Sequence, residues 1–171
     1  MKIAFGEIGR GKSRYRVPEN SWQPIEDVVI LEPPSAEVVL QSKDDDTVLL
    51  EGRLAVTVEQ ACSRCGEPVA FKLNEDFFYL ITTREEEVSE LPEKECSDEE
   101  CDTLYLNESV IDVAEILREQ MYLALPGKVL CKDTCRGLCP VCGGLLDSET
   151  CNCSEIPQDS PFAVLKKLKK D

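Results

Sequence analysis

The sequence predicts an α+β fold, in which an antiparallel sheet packs against one main helix and a cysteine-rich C-terminal module follows. Three observations support this class. Alternating apolar and polar residues over 36–60 are typical of half-buried strands. Apolar residues spaced three and four apart over 107–127 are typical of a helix that lies on a core. Six of the ten cysteines fall after residue 130.

The composition limits the kinds of partner and of chemistry. The chain has 34 acidic and 19 basic residues and a net charge of −15, so its overall field does not attract nucleic acid. It has no histidine, which excludes Ser-His and Cys-His catalysis and histidine-ligated metal. We expect no catalytic residues.

The start of the chain and the length of its apolar runs predict where in the cell the protein is located. The start of the chain lacks the apolar region of a secretory signal, and no apolar run approaches the roughly 20 residues that span a bilayer. We therefore expect a cytoplasmic protein without a membrane partner. Thiols stay reduced in that compartment, so ten cysteines predict metal binding before disulfides.

The first twenty residues are basic, with five basic and two acidic side chains. Lys12, Arg14 and Arg16 in "GRGKSRYR" are candidate contacts for phosphate or for an acidic partner. A solvated loop or edge strand is the structural alternative.

Strand patterns surround the first cysteine pair. Residues 36–60 predict two strands around a polar turn at 43–46, and 69–82 predict a third strand. Cys62 and Cys65 then lie at the tip of a hairpin. No helix-length segment separates these strands, so we expect an antiparallel sheet, with room to curl toward a barrel.

An acidic segment follows the hairpin. Residues 84–102 hold ten acidic and two basic residues, which predicts a solvated loop. Cys96 and Cys101 within it are expected to be exposed thiols without a metal.

Residues 107–127 predict the main helix. Asn107 or Ser109 is the expected cap, and Pro126 with Gly127 ends the helix. This helix is expected to be structural. Its predicted apolar face consists of Val110, Val113, Ala114, Leu117 and Met121.

The tail predicts a short second helix capped by Ser160, with Pro161 at its first position. Lysines in its last turns suit the helix dipole, and they are also candidate contacts for RNA or another partner. These lysines are Lys166, Lys167, Lys169 and Lys170.

The cysteines after residue 130 predict a zinc site, because structural zinc takes four thiolates in a tetrahedron. The preferred ligands are Cys139, Cys142, Cys151 and Cys153. Cys131 and Cys135 either complete a second site with Cys62 and Cys65 or replace Cys151 and Cys153 in the first. We expect one zinc ion per chain, and two ions remain an alternative. We also expect a division into a sheet-and-helix domain (1–127) and a zinc module with a basic helix (128–171).

Four runs of residues together resemble the YceD family of bacterial proteins, over roughly residues 50–170. These runs are "ACSRCGEPV", "IDVAEILREQMYLALPGKVLC", "CKDTCRGLCPVCGGLLDSETCNC" and "PFAVLKKL". Cys62 and Cys65 match the first C-x2-C of the family, and the tail cysteines match a tail that many members carry. Some members lack the tail cysteines, so metal is not a general property of the family. Gly66 stands where members usually have leucine.

The resemblance implies a process. Members of the family are associated with the accumulation of 23S ribosomal RNA, so we expect a non-enzymatic factor in large-subunit assembly. Its partner would be a large-subunit precursor, bound through ribosomal RNA, a basic ribosomal protein or both, with no small-molecule substrate. Two alternatives stay open: a thiol redox or metal-carrier protein that uses Cys62 and Cys65, and a plain RNA-binding zinc module.

Overall fold

The computed structural model describes residues 1–22, 28–84, 102–148, 151 and 153. The chain divides into two compact units. The sheet unit comprises Met1–Glu59 and Ala70–Pro126, and the cysteine unit comprises Gln60–Val69 and Gly127–Asp171. The division into domains at residue 127 stays a prediction.

The described residues form seven strands, two 3-10 turns and one α-helix. The 3-10 turns are Phe5–Glu7 and Glu19–Ser21. The other elements, in chain order, are β1 (Lys2–Ala4), β2 (Ser13–Val17), β3 (Val29–Asp44), β4 (Thr47–Ala61), β5 (Pro68–Thr82), β6 (Thr103–Tyr105), β7 (Val110–Asp112) and α1 (Val113–Ala124).

Two sheets organise these strands. The larger has the order β2-β3-β4-β5-β6, and the smaller pairs β1 with β7. β2 and β4 each pair antiparallel with β3. Six residues join β4 to β5, too few for a parallel crossover, so this pair is a hairpin. The α+β class with one main helix is thus confirmed for the described part of the chain.

Two details of the predicted sheet differ from the structure. β6 pairs parallel with β5, because the long segment between these strands can cross over, as a short hairpin link cannot. The barrel is also not formed: across residues 1–22, 28–84 and 102–148, β2 and β6 remain the two open edges of the sheet.

The core of the sheet unit follows the predicted alternation. Leu54, Val56 and Val58 of β4 are buried, and the residues between them are partly exposed. They belong to one apolar cluster with Leu117 and Met121 of α1. Burial of an apolar helix face on an apolar sheet face is the main stabilising term for such a layer.

The helix begins later than its apolar spacing predicts. Residues Val110–Asp112 are extended and pair with β1, and the helix starts at Val113. Asp112 is the cap, since its carboxylate accepts the backbone N–H of Ala114 at 3.2 Å. The apolar spacing correctly predicts a helix, but Val110 lies outside it because Val110 pairs with the distant strand β1.

Gly52 offers a test of the packing between β4 and β5. A Cβ at this position would overlap the ring of Phe77, which is why a strand interior tolerates glycine here. We expect Gly52→Ala to displace the ring and lower the free energy of unfolding by about 1–3 kcal/mol, measured by urea denaturation. Gly6→Ala is the control, because a Cβ there has nothing within 4 Å. Equal stability of both variants would contradict the described packing.

Candidate metal centre

The hairpin tip between β4 and β5 forms the first half of a cysteine cluster. The Cys62 N–H donates to the Glu67 carbonyl at 2.7 Å, and the Gly66 N–H donates to the Cys62 carbonyl at 2.9 Å. Gly66 has φ +77°, a conformation that glycine adopts without strain. The tight turn brings the thiols of Cys62 and Cys65 to one side.

The chain after the helix docks on this tip. The Ser63 N–H donates to the Val129 carbonyl at 2.7 Å, and the Val129 N–H donates to the Ser63 hydroxyl at 3.1 Å. The Arg64 guanidinium donates to the carbonyl of Cys135 at 2.5 Å. These contacts join residues that lie more than sixty positions apart.

Docking completes a four-cysteine cluster, which we name site A: Cys62, Cys65, Cys131 and Cys135. All four sulfurs lie within 4.8 Å of one another. The Cys62 and Cys135 sulfurs are 3.9 Å apart, and those of Cys65 and Cys131 are 3.6 Å apart. Sulfurs at ~2.3 Å from one tetrahedral ion are spaced by ~3.8 Å, so site A has the dimensions for a single ion.

A second cluster, site B, consists of Cys139, Cys142, Cys151 and Cys153, again with all sulfurs within 4.8 Å of one another. The sulfurs of Cys142 and Cys151 are 3.8 Å apart. The Gly143 N–H donates to the Cys139 carbonyl at 2.8 Å, and the Cys139 N–H donates to the Gly144 carbonyl at 2.7 Å. Gly143 has φ +71°. This turn places the first two sulfurs of site B.

Backbone N–H groups stabilise one thiolate in each cluster. Those of Cys142 and Val141 lower the pKa of Cys139 to about 6. Burial acts to raise the pKa of Cys62, but the backbone N–H groups around it outweigh burial and bring this pKa to about 6. Both thiols are therefore largely ionised at neutral pH.

Other thiols in the clusters keep their protons. Burial and hydrogen bonds with the remaining site A thiols raise the pKa of Cys131 to about 12. A hydrogen bond to Cys142, together with burial, raises the pKa of Cys153 to about 12. A metal that binds four thiolates must displace these protons, so its affinity falls as the pH is lowered.

The cysteine sulfurs determine which metal ions the two clusters can hold. Four sulfurs around one position are typical of a zinc or iron ion. The eight cysteines are free thiols in this structure, so none is committed to a disulfide. Four thiolates around one ion leave no open coordination position, as in structural sites. Both clusters can therefore hold a metal ion.

The geometry groups the predicted site cysteines into two sets of four. It places Cys131 and Cys135 beside Cys62 and Cys65, which is one of the two arrangements that the sequence left open. The other arrangement, with Cys131 and Cys135 in the cluster of Cys139 and Cys142, is not the grouping found. The ligand role of all eight cysteines stays a prediction.

The predicted basic contacts are partly engaged within the protein. The Lys12 ammonium lies 2.7 Å from a carboxylate oxygen of Glu51, and the Arg14 guanidinium lies 3.5 Å from Glu37. Arg16 borders a surface cavity of about 630 Å³. Four further predictions fall outside the described residues: the tail lysines Lys166, Lys167, Lys169 and Lys170, the helix from Ser160, the acidic segment 85–101, and the thiols of Cys96 and Cys101.

Several residues that build the site had no signal in the cysteine spacing. Ser63, Arg64 and Val129 hold the two halves of site A together, yet each looks like an ordinary turn or loop residue in the sequence. Gly137 is similar: it has φ +80°, and a Cβ there would come within 2.9 Å of the Arg64 carbonyl oxygen. The close approach of two distant loops explains that glycine.

The comparisons with known proteins agree on one family. The family described as "Large ribosomal RNA subunit accumulation protein YceD" matches residues 50–169, a segment that includes both clusters. "Large ribosomal RNA subunit accumulation protein YCED homolog 1, chloroplastic" from Arabidopsis thaliana is 24% identical over 156 residues. This match covers 80% of the chain and 48% of the relative, so the chain spans about half of that protein's length. No solved structure matches the chain.

None of the described helices is long and apolar enough to cross a membrane.

Gly137 tests the docking that completes site A. We expect Gly137→Ala to weaken metal binding, because it combines a strained φ with a clash against Arg64. Gly66→Ala is a matched control, since its φ is also positive but a Cβ there meets nothing within 4 Å. Strain alone costs about 1–2 kcal/mol, and the clash should add about 1–3 kcal/mol.

The measurement is apparent metal affinity by chelator competition, in which each 1.4 kcal/mol is roughly tenfold. Gly137→Ala should therefore bind more weakly than Gly66→Ala by about 5- to 150-fold. If the two variants lose the same affinity, the approach of Gly137 to Arg64 is not part of the site.

Proposed function

Since the chain belongs to the YceD family, we propose that it is a non-enzymatic factor that supports 23S ribosomal RNA accumulation during large-subunit assembly in the cytoplasm. The observation that carries this proposal is the family match over residues 50–169. The name of the Arabidopsis thaliana relative points to the same process. The protein would act by binding, with its two cysteine clusters organising part of the binding surface.

The proposed cofactor is zinc, with one ion in site A and one in site B. The sulfur spacing of both clusters supports two ions, which is the second of the two numbers, one or two, that the sequence left open. Zinc suits four thiolates and needs no redox partner. Binding energies of roughly 10–16 kcal/mol for such sites are largely folding energy, so zinc would hold the cysteine unit in its folded form.

Geometry makes thiol redox chemistry the weaker alternative. A redox or carrier thiol must be reached by its partner, and reactive cysteines are partly exposed. Cys62 has the lowered pKa of a reactive thiol, but it is 3% exposed, and Cys135 beside it is 1% exposed. A buried thiolate with three sulfur neighbours suits a metal ligand better than a nucleophile.

Charge favours a basic ribosomal protein as a direct partner. The net charge is −15, and Lys12 and Arg14 already face carboxylates. RNA contact would then fall mainly to the tail lysines. Each neutralised phosphate contributes a slope of roughly −0.7 to −0.9 in log affinity against log salt, so binding to bare RNA should be weak. A plain RNA-binding zinc module would instead bind bare RNA tightly.

The test is co-sedimentation of the full, zinc-loaded chain with large-subunit precursor particles. We expect the parent protein to sediment with the particles. The double variant Cys62→Ser with Cys65→Ser should lose zinc from site A and bind the particles at least about tenfold more weakly, because the folding energy of the site is lost. Bare 23S RNA, assayed at two salt concentrations, is the comparison ligand.

A matched double variant controls for thiol removal itself. The double variant Cys96→Ser with Cys101→Ser also removes two thiols, and it should leave zinc content and sedimentation unchanged. The proposal is wrong if the parent protein fails to associate with precursor particles. The metal part is wrong if both double variants behave alike.

A further inference from the structure

We propose that Asp147 is a positioning residue that couples the two clusters, so that metal in site B strengthens metal binding in site A. The inference rests on the proposed zinc binding, but it does not depend on the proposed role in ribosome assembly. Asp147 is not a metal ligand in this proposal. It acts through the backbone and side chains next to the ligands.

The Asp147 carboxylate contacts the loop that carries half of site A. One oxygen lies 3.1 Å from the Lys132 ammonium and accepts the Arg136 backbone N–H at 3.2 Å. The other oxygen lies 3.4 Å from the Arg136 guanidinium. Lys132 follows Cys131, and Arg136 follows Cys135, so this single carboxylate holds the residue after each of the two tail ligands of site A.

Asp147 itself belongs to the loop of site B. It lies between Cys142 and Cys151, which are 3.8 Å apart at their sulfurs. The Leu146 N–H donates to the Gly137 carbonyl at 2.9 Å, and Leu138 forms an isolated antiparallel bridge with Leu145. These bonds lay the site B loop along the segment that leads from one site to the other.

The position of Asp147 therefore depends on both sites. A metal in site B ties the two ends of the loop, which reduces the freedom of the loop and keeps the carboxylate near Lys132 and Arg136. Without that metal the carboxylate is held less firmly, and the tail half of site A is less ordered. Exposed ion pairs alone are weak, but the Asp147 side chain is only 24% exposed, and its bond to a backbone N–H is charge-assisted. By linkage, metal in site A must strengthen site B by the same factor.

A set of variants isolates the coupling. The double variant Cys142→Ser with Cys153→Ser removes site B, so that only site A can bind zinc. The double variant Cys62→Ser with Cys65→Ser removes site A, so that only site B can bind zinc. The full chain of each is titrated with zinc against a competing chelator, and native mass spectrometry counts the ions bound. The coupling factor is the product of the two stepwise affinities of the parent, divided by the product of the two isolated-site affinities.

We expect a coupling factor in the range of about 5–150 for the parent chain. Repeating the set in an Asp147→Ala background should bring the factor close to one. Asp133→Ala is the matched control, because Asp133 is also an aspartate and lies between Cys131 and Cys135, in the loop that Asp147 contacts, but its side chain makes none of the Asp147 contacts. It should leave the factor unchanged.

Hydrogen exchange gives a second readout that does not require a fitted affinity. The Ser63 N–H, which donates to Val129, reports whether site A is ordered. Removing site B with Cys142→Ser and Cys153→Ser should speed exchange at Ser63 in the parent, but add little in the Asp147→Ala background.

Each outcome bears on the inference. Two bound zinc ions with a coupling factor near one in the parent would overturn it and leave the zinc proposal standing. So would a factor that survives Asp147→Ala. If no variant binds zinc at all, the zinc proposal fails, and the coupling fails with it.

Discussion

Site A depends on two hydrogen bonds between Ser63 and Val129, one between their backbones and one from the Val129 N–H to the Ser63 hydroxyl. They bring the tail to the hairpin tip, so that Cys131 can meet Cys65 across 66 positions of sequence. Closing a loop of that length costs about 4 kcal/mol in chain entropy. Structural zinc sites contribute roughly 10–16 kcal/mol, so metal binding would outweigh the entropic cost of closing this loop. These two hydrogen bonds set the geometry in which the four thiols meet.

Local features of the structure could be predicted from the sequence, whereas contacts between distant segments could not. The alternation of Leu54, Val56 and Val58 identified β4, because strand burial repeats every second residue. The spacing of Cys139 and Cys142 identified a ligand-like turn for the same local reason. By contrast, the helical spacing includes Val110, because its pairing with β1 depends on a distant segment that the local pattern does not contain. The sequence also does not predict which cysteine pair lies beside Cys62 and Cys65, because that pairing depends on where Val129 docks.

The clusters combine buried thiols with ion pairs close to their ligands. Three of the eight cluster cysteines, Cys62, Cys135 and Cys139, are buried, and the chain has no histidine to serve as a general base. Cations near the clusters, such as Lys132 and Arg136, face Asp147 rather than an open cleft. Hydrogen bonds and ion pairs to the residues next to metal ligands commonly orient those ligands.

Two closed four-thiolate metal centres are the central claim of this account. X-ray absorption at the zinc edge, combined with elemental analysis of the full chain purified without chelator, tests it most directly. The account predicts two zinc ions per chain, each with four sulfur neighbours at ~2.3 Å and no oxygen or nitrogen neighbour. Zinc content near zero under reducing conditions, or zinc bound by fewer than four sulfurs, would contradict it.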